Sequence, residues 1–225
     1  AFVVLKSEQP GAATFQWDLV QGVDLGGDLA YADGPNPGGM LGQVWIDVDQ
    51  STGPTNGYVY LLATVVNADD PADIMIARST DGGLNWDAPI RIYTDPISGS
   101  PVEGNWQWFG SLSVAPNGRV DVTWFDTRDN PGTFLSRLYY SYSLDGGLTW
   151  SANEALSDAF DPHAGWPNQA KIGDYNHQRS DNEGARLAWS ATFMGEQNVF
   201  YSDILPDVSS ATQDFATQTV ISAVS

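Results

Sequence analysis

The chain has 225 residues, with 28 acidic against 9 basic side chains, a formal net charge of −19 and no cysteine. That balance excludes nucleic acid and anionic membrane as partners, since both need a basic face. The missing cysteines exclude disulfide staples and thiolate chemistry. Hydrophobic residues make up 42% and aromatics 12%, enough for a sizeable core, and no apolar run reaches the roughly 18 residues that membrane insertion needs.

In chain order, residues 2–5 read as a strand, and the abrupt start inside it leads us to expect a processed or incomplete N-terminus. Residues 16–23 read as the next strand, and 22–42, rich in Gly, Pro and Asp, as a long loop. Strand patterns then come in fours. The first set is 43–49, 58–66, 74–79 and 89–93, and the second is 111–115, 119–125, 138–143 and a short strand near Ala155. The third is 170–175, 185–192, 198–203 and 217–221. Nothing is helical at period 3.6.

One stretch organises the whole. S-T-D-G-G-L-N-W begins at Ser79 and S-L-D-G-G-L-T-W at Ser143, with serine, aspartate, both glycines, leucine and tryptophan at equal offsets. Asp-Gly turns a hairpin because glycine takes positive φ without a Cβ clash, and the carboxylate can accept backbone N–H groups two residues on. A worn copy shows in Ser7, Gln9, Gly11 and Phe15, and a third hairpin is expected at Ser202-Asp203. Repeating units of four strands point to an all-β propeller. We divide the chain into the end of one blade plus a long loop (1–42) and blades at 43–94, 108–156 and 170–225. Open sheet edges call for further polypeptide or self-association.

S-x-D-G-G-x-x-W is the Asp box, and the chain resembles the sialidase-like, or BNR-repeat, β-propellers. V-W-I-D-V-D at 44–49, V-T-W-F-D-T-R at 122–128 and I-G-D-Y at 172–175 add to the likeness. It implies four-stranded blades in a ring that usually has six of them, carbohydrate as partner, and an extracellular or cell-surface location. It makes Ser79, Asp81, Gly83, Trp86, Ser143, Asp145, Gly147 and Trp150 structural, on the rim away from the substrate. The opposite face is then built by the loops joining strand two to three and strand four to the next strand one.

On those loops Trp106, Trp108, His163 and Trp166, with Lys171, either form a platform for sugar rings, whose C–H faces stack on indole, or plug the space between blades. Asp126 and Arg128 enter the same face as a glycosidase acid/base and anchor, or else pair with each other in a self-satisfied loop. Tyr175, with Asp174, matches the tyrosine–carboxylate nucleophile that the resemblance implies, and equally a core residue. The resemblance also implies three arginines, the first in an F/Y-R-I-P motif that does not occur here; Arg128 and Arg179 are candidates for the others. No cofactor is required. Ca²⁺ is the one candidate ion, at Asp69, Asp70 and Asp73, while Asp47, Asp49 and Ser51 form a poorer Ca²⁺ pattern because Gly53 comes one place late. Two functions follow: a glycan-binding or assembly propeller without catalysis, and a retaining exo-glycosidase of the sialidase type.

Overall fold

The computed structural model describes residues 2–11, 13–14, 16–31, 34–36, 38–67, 70–94, 105–164, 171–173, 175–206 and the strand 220–223. Every regular element among them is a strand. β1 (Phe2–Lys6) and β2 (Leu19–Val23) form a two-stranded antiparallel sheet. The short β3 (Asp28–Leu29) and β4 (Trp45–Val48) both pair with β5 (Val59–Val66). β6 (Asp73–Ser79) and β7 (Ile90–Arg91) complete that sheet, which we call sheet A.

Sheet B runs β8 (Gln107–Val114), β9 (Val120–Asp126), β10 (Arg137–Ser143) and β11 (Glu154–Ala155). Sheet C runs β12 (His177–Ser180), β13 (Ala185–Ala191), β14 (Asn198–Ile204) and β15 (Val220–Ala223).

The sheets stack face to face because each buries apolar side chains on both faces. Leu61, Ala63 and Val65 of β5 pack on Val4 and Val23 of the β1–β2 sheet. The alternate residues Tyr60 and Leu62 pack on Leu112, Val122 and Trp124 of sheet B. Trp108 and Phe125 then meet Trp189 of sheet C, with ring centroids 4.8 Å apart for Trp108–Phe125 and 5.7 Å for Phe125–Trp189. Strand period two sends successive side chains to opposite interfaces.

The first strands β4, β8 and β12 stand side by side. The Val114 amide donates to Asp47 Oδ2 at 2.7 Å and the Ser180 amide to Ser113 Oγ at 2.9 Å. Deeper in, Thr123 donates to Gln178 Oε1 at 2.7 Å and Gln178 Nε2 to the Asp121 carbonyl at 2.9 Å. At the rim, Arg119 is buried against Asp121 at 2.8 Å and reaches the Asp181 carbonyl at 2.9 Å.

Two expectations change. The first strand of the last sheet is β12, not 170–175. β8 starts at Gln107, so Trp108 is a strand residue, and a bulge between Trp108 and Ser111, where Phe109 takes φ 54°, carries the extra length. Ser202 and Asp203 lie in β14, as Ser79 and Ser143 lie in β6 and β10, and residues 207–219 that follow are outside the described ones. The Asp49 carboxylate accepts the Ser51 amide at 2.7 Å and the Thr55 hydroxyl at 2.6 Å.

Candidate carbohydrate-binding face

Each sheet joins strand one to two and strand three to four on one rim. The two hairpin repeats sit there, and their hydrogen bonds are internal. Ser79 Oγ accepts the Gly83 amide at 2.8 Å and donates to Asp81 Oδ1 at 2.8 Å; the Asn85 amide and side chain donate to Asp81 at 2.8 and 2.7 Å. Ser143, Asp145, Gly147 and Thr149 repeat this, with Thr149 N and Oγ1 donating to Asp145 at 2.9 and 2.6 Å. The carboxylate thus takes the amide four residues on, not two, while the serine hydroxyl closes the inner turn.

Those donors, the Asn85 side chain first, hold Asp81 at about 2. Burial pulls Asp145 upward, but the Thr149 hydroxyl and amide and the Ser143 hydroxyl outweigh it and leave that carboxyl low. Trp86 donates to the Gly83 carbonyl at 3.1 Å, whereas Trp150 packs on the interface between sheets A and B.

The opposite rim carries the loops 24–44, 67–72, 127–136, 156–176 and 192–197, as far as they are described. The loop from Ala30 to Gly42 folds back over the ends of the sheets. Ala30 and Leu41 are buried in the core between sheets B and C, and the Phe109 amide donates to the Leu41 carbonyl at 2.8 Å. The fully buried Asn36 donates to the Met40 carbonyl at 2.8 Å and accepts the Ile172 amide at 3.0 Å, tying this loop to the approach to sheet C. Gly34, at φ 58°, lies so close to Trp106 that a Cβ would sit 2.5 Å from the ring. The glycine is what lets the loop cap that indole.

Trp108 therefore offers no platform. It is fully buried, with its Nε1 donating to Ser136 Oγ at 3.1 Å, and it fills the space between sheets B and C. Trp106 is 8% exposed and capped; its free contact is Phe134, centroids 6.0 Å apart and edge-on, and Phe134 in turn meets His163 at 5.3 Å. Trp166 lies outside the described residues. Lys171 is partly buried, its carbonyl accepting Gln197 Nε2 at 2.7 Å.

Asp126 is fully buried. Its oxygens accept Trp124 Nε1 at 2.8 Å, Gln107 Nε2 at 3.2 Å, the Arg128 amide at 2.8 Å, and Arg128 Nε and Nη2 at 2.9 and 2.5 Å. In this structure the carboxylate is engaged by its own neighbours on both oxygens. Of the two readings of this pair, the geometry is that of the self-satisfied loop. The Arg128 guanidinium lies 4.5 Å over the Tyr139 ring and bonds Asn153 at 3.2 Å. Burial, and then the hydrogen bond from its hydroxyl to Asp129 at 2.7 Å, push the Tyr139 phenol up.

Tyr175 is 80% exposed, which removes the core reading; Asp174 lies outside the described residues. Arg179 and Arg186 start from the hairpin rim, where Arg186 pairs with Asp203 at 3.0 Å. Asp69 lies outside the described residues. Asp70 and Asp73 are buried and accept the Ala72 amide and the Asn67 side-chain amide. Among the described residues no three His, Asp or Glu side chains come together to hold a metal.

Sequence reasoning missed Tyr31 (73% exposed) and Phe134 (36%), which with Tyr175 are the exposed aromatics of this rim among the described residues. Their signal was present in the sequence: each is an aromatic set in a Gly-, Pro- or Asp-rich loop.

No family model matches the chain, and no curated protein does. Among solved structures it is similar to an α-L-arabinofuranosidase of Fusarium graminearum bound to an iminosugar inhibitor. The TM-score is 0.52 at 13% identity, over 99% of this chain and 58% of that one. The same fungus's arabinofuranosidase with arabinobiose gives 0.50 at 15%, over 97% and 58%. A Hadza microbial sialidase gives 0.48 at 17%, over 73% and 35%. The chain spans less than two thirds of the length of these structures. At such identities the likeness is one of fold, and the fold is a β-propeller.

Proposed function

We propose that the rim opposite the two hairpin repeats binds neutral carbohydrate without cleaving it, in a secreted or cell-surface protein that serves glycan binding or assembly. The observation that carries this reading is the state of Asp126 and Arg128. The one carboxylate–guanidinium pair that sequence pattern put on this rim is buried and spent on itself. A sialoside brings a carboxylate whose burial needs cationic partners, and here the guanidinium is committed to an aspartate. Exposed aromatic rings, by contrast, suit the apolar C–H face of a neutral sugar. Tyr31, Phe134 and Tyr175 supply them. Arabinobiose, the ligand of the Fusarium graminearum enzyme, is such a sugar and serves as the first probe.

Titration calorimetry of the chain with arabinobiose, with a longer linear arabinan oligomer and with sialyllactose tests this. Neutral oligomers are expected to bind at least as well as the sialylated one. Tyr175→Ala or Phe134→Ala should weaken binding about three- to tenfold with the melting temperature unchanged. A fluorogenic sialoside should release nothing. Turnover that disappears on Arg128→Ala would instead establish the retaining glycosidase.

A further inference from the structure

Near the hairpin rim, sheets A and B leave room between them where sheets B and C do not. β6 and β10 end at the serines of the two repeats, so their positions can be matched. Arg78 corresponds to Tyr142 and Ile76 to Tyr140, and Tyr60 pairs with Arg78 as Asp121 pairs with Tyr142. Between sheets B and C these positions are full. The Tyr140 and Tyr142 rings lie 6.0 Å apart, and Asp121 takes both the Tyr140 hydroxyl at 2.5 Å and Arg119 at 2.8 Å. Between sheets A and B, where Ile76 stands in place of a tyrosine, there is a cavity of about 110 Å³.

Of the side chains that line it, Tyr60 and Ile76 are buried, while Asp87, Ile90 and Leu148 are exposed, so it opens outward at the rim. Its polar wall is an ion pair with valences to spare. Arg78 Nε donates to Asp87 Oδ2 at 2.6 Å and Nη1 to the Gly146 carbonyl at 2.9 Å. Arg78 Nη2 and Asp87 Oδ1 have no partner among the described residues, and neither has the buried Tyr60 hydroxyl. Burial first, and then the Asp49 carboxylate, push the Tyr60 phenol up, with Asp145 adding to the effect, so that group stays neutral.

The size and chemistry of the cavity select a ligand. An apolar cavity of about 150 Å³ accommodates benzene, so a smaller one with an open mouth takes a single ring whose polar end stays outside. A hydroxyl at that end accepts from Arg78 Nη2 and donates to Asp87 Oδ1, which neither an ether nor a carboxylate can do. Asp49, Asp87 and Asp145 together disfavour an anion. We propose that this cavity binds a phenol, one neutral ring seated against Ile76 and Ile90 with its hydroxyl on Arg78 and Asp87. The guest stands where sheet B carries a tyrosine ring of its own. The phenol is either a free small molecule or the side chain of a tyrosine in another polypeptide. The site is on the hairpin rim and is independent of saccharide binding on the other.

The probes are p-cresol, toluene and N-acetyl-tyrosinamide, titrated into chain labelled at its isoleucine δ-methyl groups and followed by NMR. p-Cresol is expected to shift the Ile76 and Ile90 methyls by ring current, saturating at 1:1, while those of Ile172 and Ile204 stay in place. It should bind at least about tenfold more tightly than toluene, which lacks the hydroxyl. Ala88→Phe, at an exposed position lining the mouth, should melt as the parent does and weaken p-cresol at least about tenfold. Tyrosinamide binding equal to that of p-cresol identifies a tyrosine side chain as the guest, and p-cresol binding alone identifies a free phenol; either result upholds the site. Unmoved Ile76 and Ile90 methyls would overturn it. So would equal affinity for toluene, or undiminished binding in Ala88→Phe.

Discussion

The two hairpin repeats share a sequence and an internal hydrogen-bond pattern but not a neighbourhood. The repeat at Ser143 is docked on sheet A: Arg78 Nη1 donates to the Gly146 carbonyl at 2.9 Å, and a Cβ on Gly146 would fall 2.7 Å from Thr55 Cγ2. The repeat at Ser79 faces the two-stranded sheet. A Cβ on Gly82, at the same φ of 73°, would meet nothing nearer than Lys6 Nζ at 3.9 Å. One octapeptide is thus a turn in one place and a turn plus an inter-sheet clamp in the other. A motif sets its own turn; what each of its residues contributes depends on what stands beside it.

The largest effect that tests this contrast is at the paired glycines. Gly146→Ala carries both the positive-φ strain and the overlap with Thr55, and should cost about 3 kcal/mol. Gly82→Ala carries the strain alone, about 1 kcal/mol. Urea denaturation of the two variants measures both, and equal losses would dissolve the distinction.

Next comes Asp145→Ala, which removes the acceptor for Ser143, Leu148 and Thr149. It should cost about 1–2 kcal/mol and leave saccharide binding untouched, because it lies on the other rim. Unchanged stability with lost binding would mean that the two rims have been exchanged.

The smallest effect is a pH dependence. Asp81 is held at about 2 and Asp145 is also depressed, so the folded chain holds fewer protons than the unfolded one below the ordinary carboxylate pKa. Their stabilisation is complete above about pH 4 and is lost as pH falls toward 2. Asp81→Asn should flatten that part of the melting-temperature profile, measured by circular dichroism. A parallel profile in the variant would assign the acid sensitivity elsewhere.

The aromatic residues of the opposite rim show where sequence pattern stops. Trp106, Trp108 and Phe134 all stand in or beside loop-like stretches, and composition alone ranks the tryptophans first. Whether a ring faces a sugar or a neighbouring sheet depends on the strand start at Gln107, on Gly34 closing over Trp106, and on the reach of the 127–136 loop. None of these is a property of the residue's own neighbours in the chain.

What the sequence determined by itself is local: strand alternation, turn chemistry at Asp-Gly and the repeated four-strand unit, each governed by φ, by period two and by donors within a few residues. From these come the all-β class, the hairpin turns and the division into sheets. Tertiary structure decided everything that depends on residues far apart. It buried Asp126 under Arg128 and Gln107, folded the 30–42 loop over the rim through Asn36 and Ile172, and left a cavity between Ile76 and Leu148. Burial and pairing across 19 to 136 residues of chain are set by how sheets stack. That stacking follows from the summed apolar faces of whole sheets rather than from any one stretch.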